Sequence, residues 1–166
     1  MSLLDAAVAD LREDEGEVLH LYYDSRGVPT IGRGANLREG RIPESIARQI
    51  TITREGSDAL CALRLADAER DVALFLPWTA GLDEVRRAVL ATMAYNMGIG
   101  NLLHKNPATL AACERGDYAE AAREMLDGPW KEQVGHEDGE RTSCRAHRLA
   151  HIMDTGVWPA RQGGST

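Results

Sequence analysis

The chain has 166 residues, 43% of them hydrophobic, enough apolar material for one domain with a proper core or for two small lobes sharing a helix. A formal net charge of -7, from 26 acidic and 19 basic residues, excludes a nonspecific grip on nucleic acid or on an anionic membrane as the expected behaviour. Three widely spaced cysteines, Cys61, Cys113 and Cys144, form no Cys-x-x-Cys pair, which predicts buried or free thiols in a chain made in a reducing compartment.

The opening MSLLDAAVADLREDEG meets Asp5 and Asp10 early, so it has neither the basic start nor the apolar run of a signal peptide. No segment has the length of a membrane span. Leu3, Leu4, Ala7, Val8 and Leu11 recur at three and four and predict an amphipathic helix over residues 2–14. Ser2 is its expected cap and Gly16 its expected stop, which stands Glu15 beside the last turn. From Val18 the pattern LHLYYD, SRG, VPTIGRG reads as strand, turn and second strand, and Pro29 is expected to confine that second strand to a sheet edge. A second short hairpin or loop is expected over 36–52, punctuated by Asn36, Gly40 and Pro43.

Thr53 opens a long helix through Leu60, Leu63, Ala68, Val72, Phe75 and Leu76 that Pro77 stops. Gly56 stands where a capping box would have Glu or Gln, so that cap reads as incomplete. At about 1.5 Å per residue this helix exceeds roughly 30 Å and can join two lobes. Further helices are predicted at about 82–97, 107–114, 117–127 and 142–154, with glycines between them as punctuation. Residues 135–140 read as a polar loop, and the tail after Trp158 has nothing to pack.

The chemistry concentrates in the run Glu15–Asn36, where Glu15, Asp24 and Thr30 stand at intervals of nine and six. Two carboxyls of unlike surroundings facing one cleft are what cleavage of a glycosidic bond needs. Spacing alone is weak, because acidic residues are common here; the plainer reading ends a helix with Glu15 and starts a turn with Asp24, both solvated.

The flanking residues decide between these readings. Leu11-Arg12-x-Asp14-Glu15-Gly16, then Tyr23-Asp24-x-x-Gly27, then Pro29-Thr30-Ile31-Gly32-x-Gly34 resemble the active-site segment of the T-even phage lysozymes, the endolysins of glycoside hydrolase family 24. Asp83-x-Val85-Arg86-Arg87-Ala88 followed by Tyr95-Asn96-Met97-Gly98 resembles the family's central buried helix. Trp130, Arg145-Ala146-x-Arg148 and Thr155-Gly156-x-Trp158 resemble its C-terminal end.

The resemblance implies a mostly helical α+β lysozyme fold forming a single domain. A small N-terminal hairpin-sheet lobe over 15–52 is joined by a connecting helix over 53–76 to a helical C-terminal lobe over 77–158. The 1–14 helix is expected to pack on that second lobe, and 159–166 forms a tail. It also implies Glu15 as general acid, Asp24 as carboxylate partner and Thr30 as positioner of the attacking water. Tyr95 and Asn96 are expected to line the sugar groove, and Arg145 to orient the catalytic Glu; the plainer readings are a core tyrosine and a surface arginine.

The implied reaction is hydrolysis of peptidoglycan between N-acetylmuramic acid and N-acetylglucosamine by a monomer with no cofactor. It implies no nucleic-acid partner and no stable membrane insertion. Access would depend on a holin-type partner, with the enzyme held in the host cytoplasm until release to the periplasm. A noncatalytic wall-binding module is the alternative, against which the joint presence of Glu15, Asp24 and Thr30 argues. Where the T-even pattern has His after Gly-x-Gly, this chain has Ala35. A metal site from Cys144, His147, His151 and His136 is disfavoured, because three ligands from successive turns of one helix seldom converge on a tetrahedral ion.

Overall fold

A computed structural model describes residues 3–14, 17–24, 27–37, 42–130 and 145–159. They form a mostly helical α+β chain of two compact units, Met1–Asp67 and Ala68–Thr166.

The first unit begins with α1, Leu3–Asp14. Ala7, Val8 and Leu11 are buried, as their spacing of three and four requires. A sheet of three antiparallel strands follows in the order β1–β2–β3: β1 Val18–Tyr23, β2 Pro29–Gly32 and β3 Ala35–Asn36. Tyr22 pairs with Thr30 and Tyr23 with Pro29, while Thr30 also faces Asn36. The other edge of β1 is covered by a bridge from His20 to Thr51 and by Ile52 N–H donating to Leu19 C=O at 2.9 Å.

This order corrects the expectation that Pro29 holds β2 at an edge, since β2 is central. Proline is tolerated there because it is the first residue of the strand, where no ladder bond needs its missing N–H. Its carbonyl still works, accepting from Leu37 N–H at 2.9 Å. The segment expected as a second short hairpin or loop over 36–52 begins at Asn36, the last residue of β3, and holds the short helix α2, Glu44–Ala47. A core of Ile31, Ala35, Leu37 and Ala47, flanked by Leu21, Ile42, Ile50, Ile52 and Leu60, lies between these pieces. Each large apolar side chain so buried contributes about 1.5–3 kcal/mol.

Helix α3 spans Arg54–Phe75, starting in the first unit and ending in the second. Its cap is better made than the sequence suggests. Thr53 Oγ1 accepts from Gly56 N–H at 3.1 Å, which is one arm of a capping box. Glu55 lies beside the same threonine, and bonds from its own backbone N–H and the Thr53 hydroxyl hold its carboxyl below the ordinary value. Pro77 ends the helix as expected and opens a 3₁₀ turn, Pro77–Gly81.

The second unit is built around α4, Glu84–Met97, in which every residue from Ala88 to Tyr95 is buried. A helix apolar all round has to be a core helix. Gly98, at φ 79°, ends α4 and starts α5, Ile99–Lys105, which sequence periodicity misses because seven residues make too short a pattern. Helices α6, Pro107–Arg115, and α7, Tyr118–Asp127, match their predicted ranges. Helix α8, Arg145–Thr155, packs against α7 and α4. The predicted 135–140 loop and residues 142–144 lie outside the described residues. Among the described residues no helix is long and apolar enough to cross a membrane.

Candidate active site

The Asp24–Val28 turn joins β1 to β2 and is closed from both sides of its first residue. Asp24 N–H donates to Val28 C=O at 3.0 Å, and Gly27 N–H donates to Asp24 C=O at 2.9 Å. Gly27 has φ 69°, a left-handed conformation that glycine adopts without cost. The Asp24 carboxylate accepts from Val28 N–H through Oδ1 at 2.8 Å, so its rotamer is set by the turn that carries it.

Thr30 sits in β2 and is 3% exposed. Its hydroxyl donates to Val28 C=O at 2.8 Å. Val28 therefore connects two of the residues singled out from sequence, giving its N–H to Asp24 and its carbonyl to Thr30. Because the hydroxyl proton is committed, the Thr30 oxygen is left with lone pairs to offer, the character a water positioner needs. Ala35, where the chain departs from the T-even pattern, is buried in the sheet core beside Ile31 and Leu37. Glu15 lies outside the described residues, between the end of α1 at Asp14 and the start of β1 at Val18.

Sequence reasoning missed a charged cluster at the other end of the same hairpin. Arg33 Nη1 lies 3.1 Å from Glu17 Oε1 and is also hydrogen-bonded to Asp58 Oδ1 on α3. A second arginine of α3, Arg64, donates from Nη1 to Gly34 C=O at 2.6 Å. Near the turn, Tyr23 donates its hydroxyl to Glu44 Oε1 at 2.5 Å, and Arg48 Nη2 donates to the Tyr23 oxygen at 3.2 Å. The Glu44 carboxylate raises the affinity of the Arg48 guanidinium for its proton, chiefly through their hydrogen bond. The only signal for these groups was charge beside the hairpin, common in a chain that is 27% charged.

The remaining sequence candidates belong to the second unit. Tyr95 is buried in α4, and Asn96 Nδ2 donates to Thr92 C=O of its own helix at 3.0 Å. Arg145, the first residue of α8, is 7% exposed, so the reading as a surface arginine does not hold. In the same unit Arg86 stacks 3.7 Å from the centre of the Tyr118 ring. Its guanidinium donates to Met153 C=O at 2.8 Å and Asp154 C=O at 2.7 Å, satisfying carbonyls at the end of α8. Of the four metal-ligand candidates, Cys144 and His136 lie outside the described residues, while His147 is half-buried and His151 exposed. Cys61 and Cys113 are buried; burial pushes the Cys113 thiol up to about 12, which disfavours its reactive thiolate at neutral pH.

Known proteins place this architecture. Residues 12–146 match the family model described as phage lysozyme. The chain is 30% identical over 164 residues to the pre-baseplate central spike protein Gp5 of Enterobacteria phage T4, covering 88% of this chain and 27% of that longer protein. It is 28% identical over 166 residues to the "Probable T4-type lysozyme 1" of Dictyostelium discoideum, covering 89% of this chain and 92% of that one. An endolysin of Salmonella phage P22 is 31% identical over 99 residues, 59% of this chain and 64% of its own length. The small antiparallel sheet followed by a long helix and a helical unit is a lysozyme-like α+β fold. Since the family match runs from the last turn of α1 into α8 and contains the whole Asp24–Thr30 turn, the chain belongs to the phage lysozyme family.

Proposed function

We propose that the chain is a glycoside hydrolase of the lysozyme type, which hydrolyses the β-1,4 bond between N-acetylmuramic acid and N-acetylglucosamine in peptidoglycan. The observation that carries this reading is the bonding of Asp24 and Thr30 to the two sides of Val28, inside the span that matches the family. A carboxylate and a hydroxyl oxygen bonded to the N–H and the C=O of one residue, at the start of a strand, are held near each other, the preorganisation that activation of a water requires.

In this reading Glu15 donates a proton to the leaving sugar oxygen. Asp24 accepts a proton from the attacking water, and Thr30 orients that water through its lone pairs. Inverting chemistry requires the two carboxyls to stand about 6.5–9.5 Å apart with the water between them. Arg145 orients the Glu15 carboxyl rather than supplying its proton, because a fixed cation favours the ionised acid. Tyr95 and Asn96 contribute to the groove wall. The enzyme acts as a monomer on glycan strands, reaching them from the host cytoplasm through a holin-type partner.

The test is clearing of chloroform-treated Gram-negative cells by the purified chain, alongside Glu15→Gln and Asp24→Asn. Clearing is expected from the wild type. Glu15→Gln should lose nearly all of it, about 100-fold or more, because a general acid contributes about 10²–10⁴-fold. Binding to sacculi without clearing by the wild type would instead identify a wall-binding module. Substantial lysis by a folded Glu15→Gln variant would remove Glu15 from its role.

A further inference from the structure

Three charged side chains of the first unit meet where the hairpin enters. Extending the ladder by one residue beyond the Val18–Gly32 pair brings Glu17 opposite Arg33, and directly opposite residues share a face of the sheet. Their charges indeed meet, with Arg33 Nη1 3.1 Å from Glu17 Oε1, and the two side chains are 10% and 15% exposed. The same Arg33 nitrogen bonds to Asp58 Oδ1 on α3. Arg54 adds a looser contact, its Nε 3.7 Å from Glu17 Oε2, on a side chain that is 80% exposed and therefore adds little.

The cluster is enclosed on the helix side by close packing. A Cβ at Gly32 would stand 3.0 Å from Ser57 Oγ and 3.1 Å from Ile52 Cδ1, so the strand lies against α3 with no room to slide. Arg64 ties the following turn to the same helix through Gly34 C=O. Asp58 and Arg64 lie six positions apart on α3; the first holds the Arg33 guanidinium and the second the carbonyl of the residue after it.

Enclosed charges of this kind rarely add stability, because desolvation offsets most of their attraction. What they supply is a fixed place, since one Arg33 nitrogen, Nη1, stands between the Glu17 and Asp58 carboxylates. The element held is the chain at Glu17, two residues after Glu15 in sequence. We propose that Arg33, anchored by Asp58, is a positioning residue for the proposed hydrolysis, acting by holding the chain at Glu17 next to the proposed general acid in sequence. This rests on the lysozyme reading and adds to it a residue set that acts through the backbone rather than on the sugar.

The experiment compares kcat and KM on soluble peptidoglycan fragments for the wild type, Glu17→Gln, Arg33→Lys, Arg33→Met and the surface control Arg123→Gln. Assays run well below each variant's melting temperature. Glu17→Gln and Arg33→Met should lose kcat by about tenfold or more with KM within about twofold, as expected for a misplaced reacting group. Arg33→Lys, which keeps the charge without the fork, should recover part of kcat. Should Arg33→Met not fold, Glu17→Gln and Arg33→Lys carry the comparison. Folded variants with wild-type kcat, or losses confined to KM, overturn the proposal. A wild type without turnover removes the lysozyme reading and this inference together, whereas an active wild type with unaffected variants removes the inference alone.

Discussion

Gly156 shows how one atom can decide a residue. It has φ +68°, and a Cβ there would stand 2.5 Å from Arg86 Nη1, the guanidinium that satisfies the Met153 and Asp154 carbonyls. Gly156→Ala should therefore destabilise the protein by about 1–3 kcal/mol, from left-handed strain and from displacing Arg86. Gly116 has φ +78° but nothing within 4 Å of its Cβ position, so Gly116→Ala should show only the strain, about 1 kcal/mol. Thermal unfolding of the two variants separates the terms, and equal losses would discount the Arg86 contact. Arg86 also meets Asp83, which caps α4 by accepting from Arg86 N–H at 2.9 Å and pairs with its Nη1 at 2.6 Å. Burial is the largest single influence on the Asp83 carboxyl and pushes it up, but the Arg86 bonds and charge together hold it below the ordinary value. A depressed carboxyl stabilises the fold above its unfolded pKa, about 3.9, and that contribution is lost as pH falls through the lower folded value. Asp83→Asn keeps a capping oxygen but not the charge, so its stability should decline less steeply than the wild type's below about pH 4. Denaturant titrations from neutral to acid pH would show this; parallel declines would place the acid sensitivity elsewhere.

Among the elements, the β1–β2 hairpin and α3 show where local pattern suffices and where it fails. Alternation and the Ser-Arg-Gly turn marked the hairpin because those features are local: Gly27 provides the left-handed turn residue, and Asp24 bonds within four residues of itself. Helix α3 was marked by its apolar spacing and by Pro77. The position of β2 within the sheet was not legible, because Pro29 bars a strand centre but not a strand start, and the third strand shows only in the pairing of Thr30 with Asn36 and of Ile31 with Ala35. Helix α5 escaped for want of periodicity. The contact of β2 with α3 is likewise non-local, and it gives a further prediction. Gly32 has φ +62° and lies against Ser57 and Ile52, so Gly32→Ala should destabilise the first unit by about 1–3 kcal/mol. It should also lower wall-clearing activity in the fraction that remains folded. Hydrogen exchange at β1 and β2 measures the first effect, and unchanged protection there would show that the strand tolerates a methyl group against α3.

For the whole molecule, charge is the property with a direct experimental handle. The chain carries -7 and is proposed to act on a wall rich in phosphate and carboxylate, so the long-range field opposes approach. Screening shortens from about 30 Å at 0.01 M salt to about 10 Å at 0.1 M. KM on intact sacculi should therefore fall as salt rises across that range, the reverse of a basic wall-binding enzyme; a rise in KM would point to local positive charge governing capture. At this scale the sequence by itself determined the family and the mostly helical α+β class and singled out Glu15, Asp24 and Thr30 as candidates, because turn chemistry, helix periodicity and ordered short motifs depend on neighbours within a few positions. Tertiary structure alone decided that Arg145 is buried. It also decided that Glu17, Arg33 and Asp58 meet. Those facts depend on strand register and on a helix laid against a sheet, which bring together residues as far apart as Glu17 and Asp58; the physics of packing that creates such contacts has no counterpart in the spacing of letters along the chain.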